Sequence, residues 1–261
     1  MDTNLLEAEP LPGIAQLTLN RPKARNALDA GLIAALTEAV ARHAAREATR
    51  VIVIRANGPA FCAGADLNAM LALGRGSQEA NVADAETLAR LLLAIRRCPK
   101  PTVAAVQGPA FGGGVGLATA CDVAVGSEEA VFRLPEVRLG IVPAIISPYV
   151  VEALGVRQAR RYALSGETIP AARARELGLL HEVVSGTALG AEALRIAVEL
   201  AAGGPGALAA CKALLSAIAG RGPDEVLGAE LAATLATLRA GEEAQDGLAA
   251  ALARQSPRWV S

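Results

Sequence analysis

Two stretches of the chain carry the same lettering: GPAFCAGADL at 58–67 and GPAFGGGVGL at 108–117. In each, Gly-Pro-Ala-Phe leads through small residues into an apolar, helix-like run. The first amides of a helix have no partner within it, and small side chains let a ligand oxygen approach them. Two such ends aimed at one point make a hole for an oxyanion. The same glycines would also let helices pack tightly on a sheet, and the residues alone leave both uses open. Neither stretch fits the dinucleotide pattern GxGxxG or the phosphate-loop pattern GxxxxGK[ST].

An acid follows at a telling place. Glu136 stands after Leu134 and Pro135 in FRLPEVRLGIVP, an apolar approach to a helix. Burial there would raise its pKa toward the range useful for proton transfer. Other reactive side chains are sparse. The two histidines, His43 and His181, lack a nearby Asp or Cys pattern and read as surface or strand-edge residues. Cys62, Cys98, Cys121 and Cys211 have neither metal-site nor disulfide spacing and read as buried thiols. No metal centre is expected.

The elements that must position these groups follow from periodicity. A chain of 261 residues is long enough to bury one large core with a smaller appendage. IAQLTL at 14–19 and VIVIRA at 51–56 read as strands, joined by a helix from about 30 to 48 that Asp29 can cap. A second helix restarts near Asp84 and ends before Pro99 and Pro101; TVAAVQG and DVAVGS are further strands around the glycine-rich turn. Strand, connection and helix recur three times, which indicates a coiled stack of similar units. From about 187 the strands vanish, and Ala-rich helices at 188–202, 205–218 and 223–238 take over. Alanine buries little area per residue, so such helices need a large partner, for which a neighbouring subunit is the natural candidate.

With 25 basic and 26 acidic residues, the charge draws the chain neither to nucleic acid nor to an anionic membrane, and six aromatics are too few for a stacking platform. No run reaches the length of a spanning helix, and MDTNLLEAEP lacks the form of a leader, so a cytoplasmic location is expected.

AFCAGADL, QGPAFGGGVGLATACD and FRLPEVRLGIVP, with NRPKARNAL before them and SGETIPAARARELGLLHEVV after, resemble the enoyl-CoA hydratase and isomerase family in order and spacing. The resemblance covers nearly the whole chain. It implies the α/β crotonase fold, a spiral of repeated ββα units over 1–186 with a helical oligomerisation region over 187–261. It implies an acyl thioester substrate whose coenzyme A is part of the substrate, no permanently bound cofactor, and a homotrimer or dimer of trimers. Carried over by position, the oxyanion donors fall on the amides of Ala65 and Gly113, with Glu136 as acid/base. Coenzyme A contacts fall on Lys23, Arg25, Ala63, Asp66 and Leu67, and on Arg254 reaching a neighbouring subunit. Asp122, in the ACD segment, is implied to be structural.

One departure stands out. The family's hydratases carry a second acid where this chain has Gly116. Two carboxylates divide the work of adding water, whereas one can shuttle a proton between carbons and move a double bond. The surrounding text nevertheless resembles bacterial methylglutaconyl-CoA hydratase-like members. Hydration of a 2-enoyl-CoA is therefore the leading expectation, with double-bond isomerisation by Glu136 alone, or a catalytically weak acyl-CoA-binding homologue, as alternatives. Gly116 is expected to leave room for a branched acyl group or a water. Arg133 or Arg138 is expected to pair with a distal carboxylate of a glutaconyl-type substrate, if not with a structural partner. Glu128, Glu129 and Asp66 are the nearest candidates for a replacement second acid.

Overall fold

A computed structural model describes residues 3–260. The sequence's β-branched runs form the middle of one six-stranded sheet. Its strands are β1 (Leu5–Leu11), β2 (Ile14–Leu19), β3 (Val51–Ala56), β4 (Thr102–Val106), β6 (Val123–Ser127) and β9 (Glu182–Val184), side by side in that order. All neighbours are parallel except β1 and β2, which form a hairpin. A smaller sheet holds β5 (Pro109–Phe111), β7 (Val131–Arg133) and β8 (Thr168–Pro170). β1 was not legible in the sequence: it is a mostly exposed edge strand containing Pro10, so it lacks the apolar alternation of a covered one.

Side chains alternate across β3. Ile52 and Ile54 point into the main core, with α1 (Ala30–Ala45), α3 (Gln78–Arg96) and α4 (Gly113–Ala120), while Val51 and Val53 face α7 (Leu189–Ala201). The change of character near 187 is thus a change of secondary structure, and α7 still covers the sheet's second face. Asp29 caps α1 through a bond from the Leu32 amide of 2.8 Å. α3 begins before Asp84 because Ser77 caps it, which places Asp84 inside the helix rather than at its start. The interruption near 74–77 separates it from α2 (Leu67–Leu73).

The remaining helices are α5 (Ser147–Ser165), α6 (Ala171–Glu176), α8 (Pro205–Ile218), α9 (Glu225–Ala240) and α10 (Glu242–Ala253). Across α8, α9 and α10, Leu227 is the one residue buried within the chain. The C-terminal segment is tied back all the same. Arg50 donates to the carbonyls of Trp259, Ala201 and Gly203 at 2.6–2.9 Å, and the Trp259 indole donates to Ala202. Among the described residues no single helix is long and apolar enough to cross a membrane.

Two readings of single residues are corrected. His43 is buried rather than superficial: α1 turns its ring toward Thr49 and Glu7, with Nδ1 at 3.0 Å from Thr49 Oγ1 and Nε2 at 3.1 Å from Glu7 Oε2. Cys211 is exposed, since it lies on α8, which buries no residue within the chain, whereas Cys62, Cys98 and Cys121 are buried. Asp122 is structural in the plainest sense. Its Oδ2 accepts from the Thr102 amide, the Thr102 hydroxyl and Lys212 Nζ at 2.6–2.9 Å, joining β4 to α8.

Candidate active site

The two glycine-bearing turns meet. An isolated parallel bridge pairs Cys62 with Ala110: the Cys62 amide donates to Pro109 and the Phe111 amide to the Cys62 carbonyl. A second bridge pairs Leu28 with Ala65, with bonds from Leu28 N to Gly64 O (2.8 Å) and from Asp66 N to Leu28 O (3.1 Å). A parallel bridge of this kind engages the residues either side of Ala65, so the Ala65 amide points the other way. The turn supplying Leu28 is held by Asn26, which is fully buried. Its Oδ1 accepts from Arg21 N, and its Nδ2 donates to the Asn57 and Ala60 carbonyls, each at 2.8 Å.

The glycines make this contact possible, each for its own neighbour. Gly64 has φ +93°, and a Cβ there would stand 2.8 Å from the Phe111 carbonyl oxygen. A side chain on Gly114 would fall 2.3 Å from the Cys62 carbonyl oxygen. Gly112 has φ +47° and precedes α4, so the Gly113 amide is the first of that helix and takes the positive end of its dipole. The Gly113 nitrogen lies 3.6 Å from the position a Gly64 Cβ would occupy, which brings the two turns into contact at the level of Ala65 and Gly113.

Glu136 closes the arrangement. It opens a short 3-10 turn, Glu136–Leu139, and its Oε1 lies 2.8 Å from where a Gly112 Cβ would sit. Only a glycine at 112 lets the carboxyl stand there. Its Oε2 is buried without a hydrogen-bond partner among the described residues. Burial pushes the carboxyl above the usual carboxylate range, an effect that a bond from its own backbone amide partly offsets. A buried polar atom left without a partner costs stability unless a function or a ligand uses it.

Ala65, Gly113 and Glu136 all line one cavity of about 510 Å³. Ala63, Asp66 and Leu67 line it as well, as do Met70 and Leu73 of α2, Asp84 and Leu88 of α3, and the segment Ile141–Ile146. The last three groups were not singled out in the sequence. For α3 a signal was present, because Asp84 and Leu88 are four residues apart and so share a helix face. Asp66 spends its Oδ1 on capping α2 through the Asn68 and Ala69 amides, and Arg21 lies 2.8 Å from Asp29 and 3.9 Å from Asp66.

Several expected pocket residues lie elsewhere. Gly116 does not line the cavity: a Cβ there would stand 2.4 Å from Ile146 Cγ2 and 3.2 Å from Leu92 Cδ1. The room foreseen for water or a branch is filled by Ile146. Arg133 turns away to donate to the Gly166 carbonyl at 2.7 Å, and Arg138 donates to the Ser165 carbonyl, so both hold the end of α5 where carbonyls lack helical partners. Neither lines the cavity. Glu128 and Glu129 are exposed on the turn between β6 and β7, outside the cavity lining. Lys23 and Arg25 lie on the exposed turn beside Ala63, whose amide donates to the Arg25 carbonyl at 3.0 Å, and Arg254 is exposed at the end of α10. Among the described residues no group of His, Cys, Asp and Glu is placed to hold a metal.

The comparisons with known proteins bear on the family and the fold. The model of the enoyl-CoA hydratase/isomerase family matches residues 10–261. The 2,3-dehydroadipyl-CoA hydratase of Escherichia coli K12 is 36% identical over 92% of this chain and 92% of its own. The mevalonyl-coenzyme A hydratase of Aspergillus fumigatus is 35% identical over 96% and 92%. A crystal structure of an enoyl-CoA hydratase from Shewanella pealeana superposes with a TM-score of 0.94 at 38% identity, over 98% of this chain and 96% of that one. By sequence, fold and the course of its two glycine turns, the chain belongs to the enoyl-CoA hydratase/isomerase family.

Proposed function

We propose that the protein adds water across the double bond of a 2-enoyl-CoA, or removes it in reverse, with the Ala65 and Gly113 amides holding the thioester oxygen and Glu136 moving the proton. The observation that carries this reading is the Glu136 carboxyl: its Oε1 stands against Gly112, just ahead of α4, and its Oε2 is buried without a partner among the described residues. Water attacks C3 as Glu136 takes its proton. The double-bond electrons move onto the thioester oxygen, where charge is greater at the transition state than in the substrate and two fixed N–H donors are worth most. Glu136 then returns the proton to C2, and the thioester carbonyl reforms. One carboxylate thus serves both transfers.

A second reading has its own support. With Ile146 filling the space beside Gly116, no acid can enter from that side, and Glu136 acting by itself suits transfer of a proton between C2 and C4, which moves the double bond. Incubation with crotonyl-CoA and, separately, with a 3-enoyl-CoA separates the readings. Hydration gives loss of the conjugated-thioester absorbance and a product heavier by one water; isomerisation of a 3-enoyl-CoA raises that absorbance with no change of mass. Glu136→Gln should slow whichever reaction occurs by about a hundredfold to ten-thousandfold. Unchanged turnover would remove Glu136 from the chemistry.

For coenzyme A, the exposed turn carrying Lys23 and Arg25 supports phosphate contacts next to Ala63, with Arg254 serving a neighbouring subunit. A homotrimer or dimer of trimers is supported by the unburied faces of α8 to α10. The acyl groups named for the relatives differ, so family membership leaves the acyl end open.

A further inference from the structure

Four polar side chains line the cavity, and all are acids: Asp29, Asp66, Asp84 and Glu136. No Lys, Arg, His, Ser, Thr, Asn, Gln or Tyr side chain is among the lining residues. Two of the acids are already engaged, since Asp29 and Asp66 cap α1 and α2 and stand near Arg21. Glu136 is assigned to the reaction. That leaves Asp84, half-buried on α3, whose carboxylate meets no donor or cation among the described residues. Its place relative to the reacting centre follows from the helix. Leu88, one turn on and on the same face, has its Cδ2 3.9 Å from where a Gly113 Cβ would sit, so Asp84 stands about 5–6 Å further along the same wall. The two arginines that would have matched a distal carboxylate are bound to carbonyls at the end of α5.

We propose that Asp84 is a specificity-determining residue of the acyl chamber: the site takes 2-enoyl thioesters whose acyl end is uncharged and turns away those ending in a carboxylate. A second carboxylate brought beside Asp84, in a cavity whose lining carries no cation, is repelled; a neutral end meets only apolar walls and an acceptor. The inference rests on the thioester reading above, and it is tested by binding, which needs no turnover. Dissociation constants are measured for two unreactive thioesters, glutaryl-CoA and its monomethyl ester, which differ in the terminal charge. The wild-type protein should bind the ester at least about tenfold more tightly. Asp84→Asn should bring the two within about threefold, and Asp84→Lys should reverse the order. Equal affinities in the wild type, or a preference for the ester untouched by Asp84→Asn, would overturn the proposal. Discrimination in binding without turnover of crotonyl-CoA would reject the hydratase reading and leave the chamber's selectivity standing.

Discussion

Glu136 titrates in a place where charge is poorly solvated, and this has two measurable results. As the base of the hydration step it must be ionised, so kcat/KM should rise with pH through an ionisation above the ordinary carboxylate range. Stability runs the other way. The folded chain holds this proton more tightly than the unfolded chain, so the contribution is complete below the ordinary carboxylate pKa and is lost as pH rises through the raised one. Glu136→Gln, which never ionises, should therefore melt at a higher temperature than the wild type at neutral pH while losing activity. A lower melting temperature would show that the carboxylate is stabilised in the fold. Gly116 gives the second test at this scale. Alanine would gain about 1 kcal/mol in helix propensity but press on Ile146, whose branched Cβ lies 3.1 Å from the new atom and cannot swing aside. Gly116→Ala should cost about 1–3 kcal/mol in denaturant unfolding, and in an Ile146→Ala background that cost should largely vanish.

At the scale of elements, the proposed oxyanion donors depend on a turn that carries neither of them. Residues 20–28 are a largely polar stretch with a proline at 22. In the fold, Asn26 binds this connection to the carbonyls of Asn57 and Ala60, and Leu28 bridges it to the segment carrying Ala65. Asn26→Ala removes a buried side chain that the Asn57 carbonyl and the Arg21 amide both use, while Gln107 still donates to Ala60, and should cost about 1–3 kcal/mol of stability. Because the Ala65 segment loses its tether, kcat should fall more than KM rises. A loss confined to stability, with kcat intact, would separate the turn from the chemistry. The helix caps behaved as their residues suggest: Asp29 and Ser77 both accept from amides of the first turn. Asp66 is the instructive case, legible as part of a family motif yet occupied with capping α2.

For the whole molecule, α8 to α10 present apolar side chains to the outside, with Leu252 88% exposed and Leu215 and Leu235 about as open as each other at 60% and 59%. Isolated exposed leucines are ordinary; a layer of three helices with one buried residue is not. Sedimentation should give a species of at least three chains, and replacing Leu248 and Leu252 by Glu should shift it toward smaller ones. A monomeric wild type would sink the assembly proposed for it.

Much of this was legible from the chain alone. The β-branched runs, the capping acids, the glycine turns and the motif order determined the four central strands, the helices α1, α3 and α7 to α9, the spiral and the family, because each depends on neighbours in sequence or on patterns that repeat along it. Tertiary structure alone decided which side chains stand around the cavity and which do not. Ile146, thirty residues from Gly116, fills the space that looked vacant; Arg133 and Arg138 reach for α5 instead of the cavity; Asp84 arrives from a helix with no motif of its own. Residue type tells what a side chain can do, but its direction and company are set by packing between segments far apart in the chain, and substrate selection is made of those contacts.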